Sequence, residues 1–475
     1  MLYHLKNEMN ITNTLNGAKA HSTTQSNLLD FFAQGGAMRD RQEEDILRLF
    51  SRAYAEDESL ALKMLFYFRD IREGQGERNT FRVILRYLAN HYPNRIKELV
   101  ELIPVYGRWD DLYVLFGTKL ETEAIRVIAD QLKKDLGTEK PSLMAKWLKS
   151  ENTSSEMSKL LAKKTRKGLK MQSKEYRKTL SNLRNQIDVV ERKMSASEWD
   201  EINYPGVPSK ASLVYRNAFR KNDGDRYQDF IDSVANGNAS INTKAIFPYE
   251  IVHKVFRGER DQTIDLMWDN LPDYVGKEEN SMAVVDVSGS MSGLPMEVAV
   301  SIGLYLAERN KGHFHNHFIT FSQKPELVQV TGRTVSEKIM NIQRAKWGYN
   351  TNIEQVFCVI LNTAIKNNVP KDQMIEKLYI ISDMQFDVAD GSVDDFLFEY
   401  LKSKYAAAGY ELPKLVFWNV DAKTEAYPAT IHNGDVQLVS GCSPSLFKSL
   451  MKDEFLSPTE LMNEILMSER YEPII

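Results

Sequence analysis

Five polar side chains, spread between positions 286 and 383, could together hold a metal ion. Asp286, Ser288 and Ser290 lie in VVDVSGSMSG, directly after an apolar run that predicts a short buried strand. Thr351 lies in WGYNTNI, and Asp383 follows another apolar run in LYIISD. Open parallel sheets bind ligands at the carboxyl ends of their strands. Two acids and three hydroxyls at such an edge predict a site for a hard cation, Mg2+ or Mn2+, that keeps several waters and an open position.

The elements that would position this site begin near residue 280, where strand-like runs start to alternate with helical ones. Such alternation predicts a mostly parallel, doubly wound sheet with helices on both faces. The predicted strands are MAVVDVS, FHNHFITFS, ELVQV, KLYIISD, PKLVFWNVD and DVQLVS. The predicted helices cover about 294–309, 334–343, 352–367, 392–407 and 443–453. The segment 314–330 predicts one antiparallel hairpin at an edge of the sheet.

The preceding part of the chain, to about residue 272, has helical periodicity and hardly any strand pattern. Short helices joined by short turns predict a solenoid of paired helices. No clean repeat is present, so the prediction is a degenerate HEAT-like array, and periodicity does not show whether it closes into a ring. The predicted fold class is therefore α + α/β. The predicted divisions are an N-terminal arm at 1–35, a helical repeat domain at 36–275 and a Rossmann-like domain at 276–475.

Length and composition are those of a globular protein of two or three domains: 475 residues, 43% hydrophobic and 27% charged. The two cysteines, Cys358 and Cys442, match no zinc or redox spacing, which favours a reducing compartment. The N-terminus shows no secretory signal pattern, and no apolar run approaches the ~18–20 residues that span a bilayer. We expect a cytoplasmic protein that does not enter a membrane.

The charges are divided unevenly along the chain. Residues 276–475 carry 18 Lys and Arg against 26 Asp and Glu, whereas the remaining residues carry 43 against 39. The stretch 159–193 alone has 12 basic and 3 acidic residues, a net charge of +9. Clustered cations of this kind indicate a polyanion partner, bound in a salt-dependent manner through counterion release. The candidate RNA-binding residues are Lys163, Lys164, Arg166, Lys167, Lys170, Lys174, Arg177 and Lys178. Tyr176 could stack a base among them, and the alternative is a solvated helix face without a ligand.

Two phrases of the helical region offer further cations, RDIREGQGER at 69–78 and YGRWDD at 106–111. A Gly-x-Gly turn in the first phrase breaks the helix and permits close backbone approach. The arginines that could meet phosphate are Arg69, Arg72, Arg78 and Arg108. The alternative is that the charges of these phrases form ion pairs between helices, and that Trp109 belongs to the core.

The D-x-S-x-S pattern, with a Thr and an Asp on later loops, resembles the metal-ion-dependent adhesion site of von Willebrand factor A domains. The resemblance implies that Ser288, Ser290 and Thr351 hold the cation directly or through water. It also implies that Asp286 and Asp383 balance the charge of the cation, while a partner's acidic group or phosphate takes the open position. The Thr loop departs from the usual Gly-Gly-Thr. The alternative is that Asp286 caps the next helix and the serines bond loop amides.

The helical phrases, with AKWL at 145–148, stand ahead of an A-type domain and in this order resemble the DUF2828 family and, more distantly, the TROVE module of the Ro ribonucleoprotein. In the Ro family the repeats close into a ring through the A domain and bind RNA. The resemblance implies a non-catalytic RNA-binding protein with a Mg-dependent contact. The alternative is a protein-interaction module that grips a partner's carboxylate through the metal. A two-metal nuclease is not expected, because it needs more carboxylates than two.

Overall fold

The computed structural model describes residues 8–187, 189–275, 280–321, 325–343, 352–387, 397–452 and 454–474. Thr351 of the candidate metal set and most of the predicted linker near 276–279 lie outside these residues. No helix among the residues so described is long and apolar enough to cross a membrane.

The N-terminal segment is regular where the sequence predicts only an arm. It forms an antiparallel hairpin of β1 (Ile11–Asn13) and β2 (Lys19–His21), followed by helix α1 (Asn27–Gly35). Ser26 caps α1 by accepting a hydrogen bond from Leu29 N. Almost every residue of α1 is buried. The sequence shows no clear period here because the helix is covered on nearly all sides, so it has no polar face.

A run of short helices follows, as predicted. Its members bury one apolar stripe each; in the helix at 79–91, for example, Phe81, Ile84, Leu85 and Leu88 are buried. The α-helices are α2 (Glu43–Glu56), α3 (Glu58–Arg69), α4 (Asn79–His91), α5 (Pro93–Ile96), α6 (Ile103–Tyr106), α7 (Glu121–Leu136), α8 (Met144–Trp147), α9 (Glu156–Gly168), α10 (Ser173–Gln186), α11 (Val190–Ala196), α12 (Ser209–Asn222), α13 (Gly224–Ala235), α14 (Pro248–Phe256) and α15 (Gln262–Asp269). Short 3-10 helices occupy Lys97–Leu102, Trp109–Leu115, Trp199–Glu201 and Tyr204–Gly206.

The C-terminal part is a six-stranded sheet with helices, so the predicted α + α/β class is confirmed. The strands are β3 (Ser281–Asp286), β4 (His317–Phe321), β5 (Glu326–Gln329), β6 (Lys377–Ser382), β7 (Lys414–Asn419) and β8 (Val436–Ser440). Their order is β5-β4-β3-β6-β7-β8; β5 is antiparallel to β4 and the other pairs are parallel. The predicted edge hairpin is therefore confirmed.

The helices of this C-terminal part, for which we keep the short name A-type domain, are α16 (Leu294–Arg309), α17 (Val335–Gln343), α18 (Ile353–Asn367), α19 (Leu397–Ala407), α20 (Phe447–Leu450) and α21 (Pro458–Leu466). The helix predicted at 443–453 is wrong in extent, because only α20 and a 3-10 turn at Pro444–Leu446 are helical there. Helix α21, which Ser457 caps, has no counterpart among the predictions.

Both ends of the helical array rest on the A-type domain. At the first end, α1 packs on β8, and the Ser440 hydroxyl donates to Phe32 O at 2.8 Å. At the second end, α14 packs on α16 and α15 on α17. There His253 Nδ1 lies 2.8 Å from the Glu297 carboxylate. The first and the last helices of the array therefore both contact the A-type domain, the first at β8 and the last at α16 and α17.

Candidate cation site and basic surface

Strands β3 and β6 bring the two acids of the metal motif together. They are parallel neighbours, with Val285 opposite Ile381, so that Asp286 and Asp383 end up side by side at the carboxyl edge. Asp286, Ser288 and Asp383 are at most 1% exposed, whereas Ser290 is exposed. These four residues therefore lie at one edge of the sheet, with Ser290 at its solvent side.

The carboxylates are held by donors from the same loops. Asp286 accepts hydrogen bonds from the Ser288 amide at 2.9 Å and from the Ser382 hydroxyl at 2.6 Å. Asp383 accepts one from the Gln385 amide at 3.1 Å. Burial, and then the charge of the neighbouring Asp383, raise the pKa of Asp286 well above its usual range. A cation beside this pair would therefore offset an unfavourable concentration of negative charge.

The capping alternative for Asp286 does not match the structure. Helix α16 begins after Gly293, whose φ of +89° favours glycine, and no side chain caps its first turn. The Ser288 and Ser290 hydroxyl oxygens lie 3.0 Å apart and bond to each other. These two hydroxyls are close enough to bind one cation together.

The donor set fits a hard divalent ion with water in its coordination sphere. No cluster of three or more His, Cys, Asp or Glu side chains occurs among the described residues, so a cation here would depend on hydroxyl and water oxygens. Ser288 and Ser290 would hold Mg2+ or Mn2+, and Asp286 and Asp383 would balance its charge. The position of Thr351 falls outside the described part of the chain.

Lys423 is a residue of this site that the sequence analysis missed. Its ammonium lies 2.8 Å from Asp383 Oδ2 and 3.4 Å from Asp421 Oδ2, and it also donates to the Ser290 carbonyl. It follows β7, the strand next to β6, and therefore joins the same edge of the sheet. The sequence signal was an acid at the end of a predicted strand and a lysine just after it, in FWNVDAK.

Arginines of the two helical phrases are engaged inside the array. Arg69 is 2% exposed, and its Nη2 lies 2.8 Å from Asp111 Oδ2. Arg78 is paired with Asp110. These contacts correspond to the alternative of ion pairs between helices, and the buried Arg69 offers no guanidinium surface to a phosphate.

The other two candidate arginines, Arg72 and Arg108, make contacts other than ion pairs. Arg72 is exposed and donates to the Val105 carbonyl. Arg108 is half-buried, with its guanidinium carbon 4.9 Å from the centre of the Trp147 ring. Trp109 is half-buried and packs against the core, as the core interpretation of this residue predicts.

The first phrase also joins the array to the A-type domain. Asp70 is fully buried and accepts two hydrogen bonds from Arg470, at 2.8 and 3.0 Å. Gln75 accepts one from the Ser443 amide at 3.1 Å and donates one to the Tyr67 hydroxyl at 2.7 Å. Asp70 and Gln75 of this phrase therefore take part in the contact between the array and the A-type domain.

Helices α9 and α10 and the turn between them carry a cluster that we call the basic surface. Its members are exposed and, within the described residues, form no ion pair. They are Lys163, Lys167, Lys170, Lys174, Arg177 and Lys178. Two further candidates are paired, Lys164 with Glu121 at 3.0 Å and Arg166 with Glu151 at 2.8 Å. Tyr176 is 1% exposed and donates to the Lys149 carbonyl, so the suggestion that it stacks a base is wrong.

Comparisons with known proteins give the chain two family matches. Residues 14–134 and 135–287 match DUF2828, a domain of unknown function, and residues 280–472 match DUF7788, another domain of unknown function. The uncharacterized protein L728 of Acanthamoeba polyphaga mimivirus is 32% identical, over 96% of this chain and 87% of that protein. The crystal structure of the Deinococcus radiodurans RO (RSR) protein aligns with 94% of this chain and 99% of its own, at 12% identity and a TM-score of 0.41. A likeness at that level transfers no residue role.

Proposed function

We propose that this chain, which belongs to the DUF2828 family, is a non-catalytic cytoplasmic protein that binds single-stranded or structured RNA on its basic surface. The A-type domain would add a contact that depends on Mg2+. The observation that carries the proposal is the group of six exposed cations, on two consecutive helices and the turn between them, that form no ion pair with any described residue. Unpaired cations of this density are suited to neutralise a run of phosphates.

Few acids accompany the cations of these helices, which distinguishes the basic surface from an ordinary solvated helix face. Helices α9 and α10 contain two acidic residues, Glu156 and Glu175. Glu156 lies 2.6 Å from the Lys159 ammonium, and Glu175 accepts a hydrogen bond from the Gln172 amide at 3.1 Å. An ordinary solvated face mixes charges of both signs. Here the two helices carry nine Lys and Arg against these two acids, and this excess of positive charge supports an anionic ligand.

The proposal is tested by fluorescence anisotropy of labelled single-stranded RNA and duplex RNA with the full chain. The variant replaces four lysines of the basic surface with glutamine, Lys163, Lys167, Lys170 and Lys174. The control replaces four exposed lysines elsewhere, Lys97, Lys133, Lys366 and Lys371, and so has the same net charge. Loss of four phosphate contacts is expected to make the slope of log K against log salt shallower by about 3.

The control variant is expected to keep the wild-type slope. An equal change of the slope in both variants would mean that RNA binding depends on the overall charge of the chain and not on the basic surface. Absence of RNA binding by the wild-type chain at low salt would reject the proposal outright. RNA that stays intact during the assay is the outcome expected of a protein without nuclease activity.

A second candidate function is a protein contact in which Mg2+ bridges Ser288 and Ser290 to a partner's carboxylate. The exposure of Ser290 at the rim of the edge favours this possibility. The test is a pull-down after ribonuclease treatment, in Mg2+ and in EDTA, with Asp286→Asn as the matched variant. A partner that is retained equally in EDTA and by the variant would reject it.

A further inference from the structure

The loop that carries Lys423 is anchored to the helical array. We call residues 420–427 the Lys423 loop. Glu425 forms ion pairs with Arg48, at 2.6 Å, and with Arg52, both on α2. The Thr424 carbonyl accepts a hydrogen bond from the Gln34 side chain at 2.9 Å. Three side chains of α1 and α2 thus fix the residues directly after Lys423.

The residue before Lys423 is anchored as well, and on the same side. The Ala422 amide donates to the Ala37 carbonyl at 3.0 Å, just beyond α1. Because both chain neighbours of Lys423 are bonded to the array, the array determines where the base of this lysine stands. The side chain then extends the other way, towards Asp383 and Ser290.

The ammonium stands where it competes with a divalent ion. It bonds the carboxylate of Asp383, which would balance the charge of Mg2+, and the carbonyl of Ser290, whose hydroxyl would be a ligand. A monovalent and a divalent cation a few ångströms apart repel each other strongly at a buried edge. Lys423 is 27% exposed, so its flexible stem can swing into solvent when a metal ion enters.

We infer that Lys423 is a tethered cation that competes with divalent metal for the motif. The helical array controls this competition, because its contacts with the Lys423 loop hold the lysine at the motif. The inference rests on the cation contact of the proposed function and not on the basic surface. Metal binding would thereby be coupled to the array. A change that weakens the contacts between the array and the Lys423 loop would raise the affinity for the metal ion, and metal binding would weaken those contacts in return.

The competition is tested by isothermal titration of Mn2+ into the full chain, compared with Lys423→Gln. We expect the variant to bind Mn2+ about tenfold more tightly or better, which corresponds to ~1.4 kcal/mol. Lys402→Gln is the matched control, because it removes an exposed lysine that is paired with Asp435 on the same domain. Adding Asp286→Asn to Lys423→Gln is expected to abolish the gain.

An unchanged or weaker affinity of Lys423→Gln would overturn the inference, because the lysine would then be a permanent structural cation. A gain that survives Asp286→Asn would also overturn it, since the metal ion would be bound elsewhere. Absence of Mn2+ binding by every chain would overturn both the competition and the metal contact. RNA binding on the basic surface is tested separately, by the anisotropy assay.

The role of the array is tested separately with Glu425→Gln, which removes the ion pairs to α2 and leaves Lys423 in place. We expect an intermediate gain in Mn2+ affinity, about threefold, because only part of the anchoring is lost. In the wild-type chain, Mn2+ is expected to speed hydrogen exchange at the Ala422 amide. Wild-type affinity in Glu425→Gln together with unchanged exchange would overturn the coupling to the array.

Discussion

Replacement of Arg470 by methionine is expected to weaken the joint between the array and the A-type domain. Asp70 is fully buried and accepts four hydrogen bonds: two from Arg470, one from the Tyr471 hydroxyl at 3.2 Å and one from the Arg72 amide at 3.0 Å. The Arg470 guanidinium also lies 4.6 Å from the centre of the Tyr106 ring. Methionine keeps the apolar stem over this ring but removes both donors to Asp70.

The expected cost follows from leaving a buried carboxylate with half of its donors. Breaking a buried pair by removing one partner costs about 3–5 kcal/mol. Arg470 is 24% exposed, so water can replace part of the lost contact, and we expect the lower end, about 3 kcal/mol. Asp70→Asn in the same chain removes the stranded charge, so the double variant should recover about 2 kcal/mol relative to the sum of the single variants.

The measurement is a double-mutant cycle by urea unfolding, with hydrogen-exchange mass spectrometry of residues 67–78 and 466–474. Exchange should rise in both segments of the Arg470→Met chain, because each loses its partner across the joint. A cost below about 0.5 kcal/mol, or single effects that simply add in the double variant, would refute the reasoning that this pair holds the two parts together.

Three further outcomes are expected. Gly441→Ala should lower the free energy of unfolding by about 3 kcal/mol, because the φ of Gly441 is +120° and a Cβ there would stand 2.1 Å from Gln75 Oε1. Gly258→Ala should lower it by only about 1 kcal/mol, because Gly258 has a φ of +83° but no atom within 4 Å of the added Cβ. Urea unfolding of the two variants measures the difference. Burial lowers the pKa of His21 from 6.5 to about 4, so the unfolded chain binds the proton more readily, and stability should fall as the pH drops from about 6.5 towards 4. At pH 5 this group should cost ~2 kcal/mol relative to neutral pH, and a pH dependence unchanged in His21→Gln would contradict it. The affinity of the wild-type chain for single-stranded RNA should fall about 300-fold between 50 and 200 mM salt if six phosphates are contacted, and a flat salt response would be incompatible with the basic surface.

Much of the fold is predictable because its signals are local. The run before Asp286 is apolar at every position, which is typical of a strand buried on both faces, and β3 is buried throughout. The hairpin of β4 and β5 was equally visible. The N-terminal hairpin and α1 were not, because part of their cover comes from β8 and the Lys423 loop, hundreds of positions away. Helix α21 was missed although its capping box, Ser457 with Glu460, is written in the sequence.

The sequence by itself determined that Asp286 and Asp383 stand at the carboxyl ends of strands and that cations accumulate on α9 and α10, because strand ends and helix charges follow from local period and composition. Only the tertiary structure decided which charges remain available. Arg69 meets Asp111 inside the array, and Lys423 reaches Asp383 from the next loop. Such partners are chosen when distant segments pack and bury the charges of each other. No pattern within one segment records that choice.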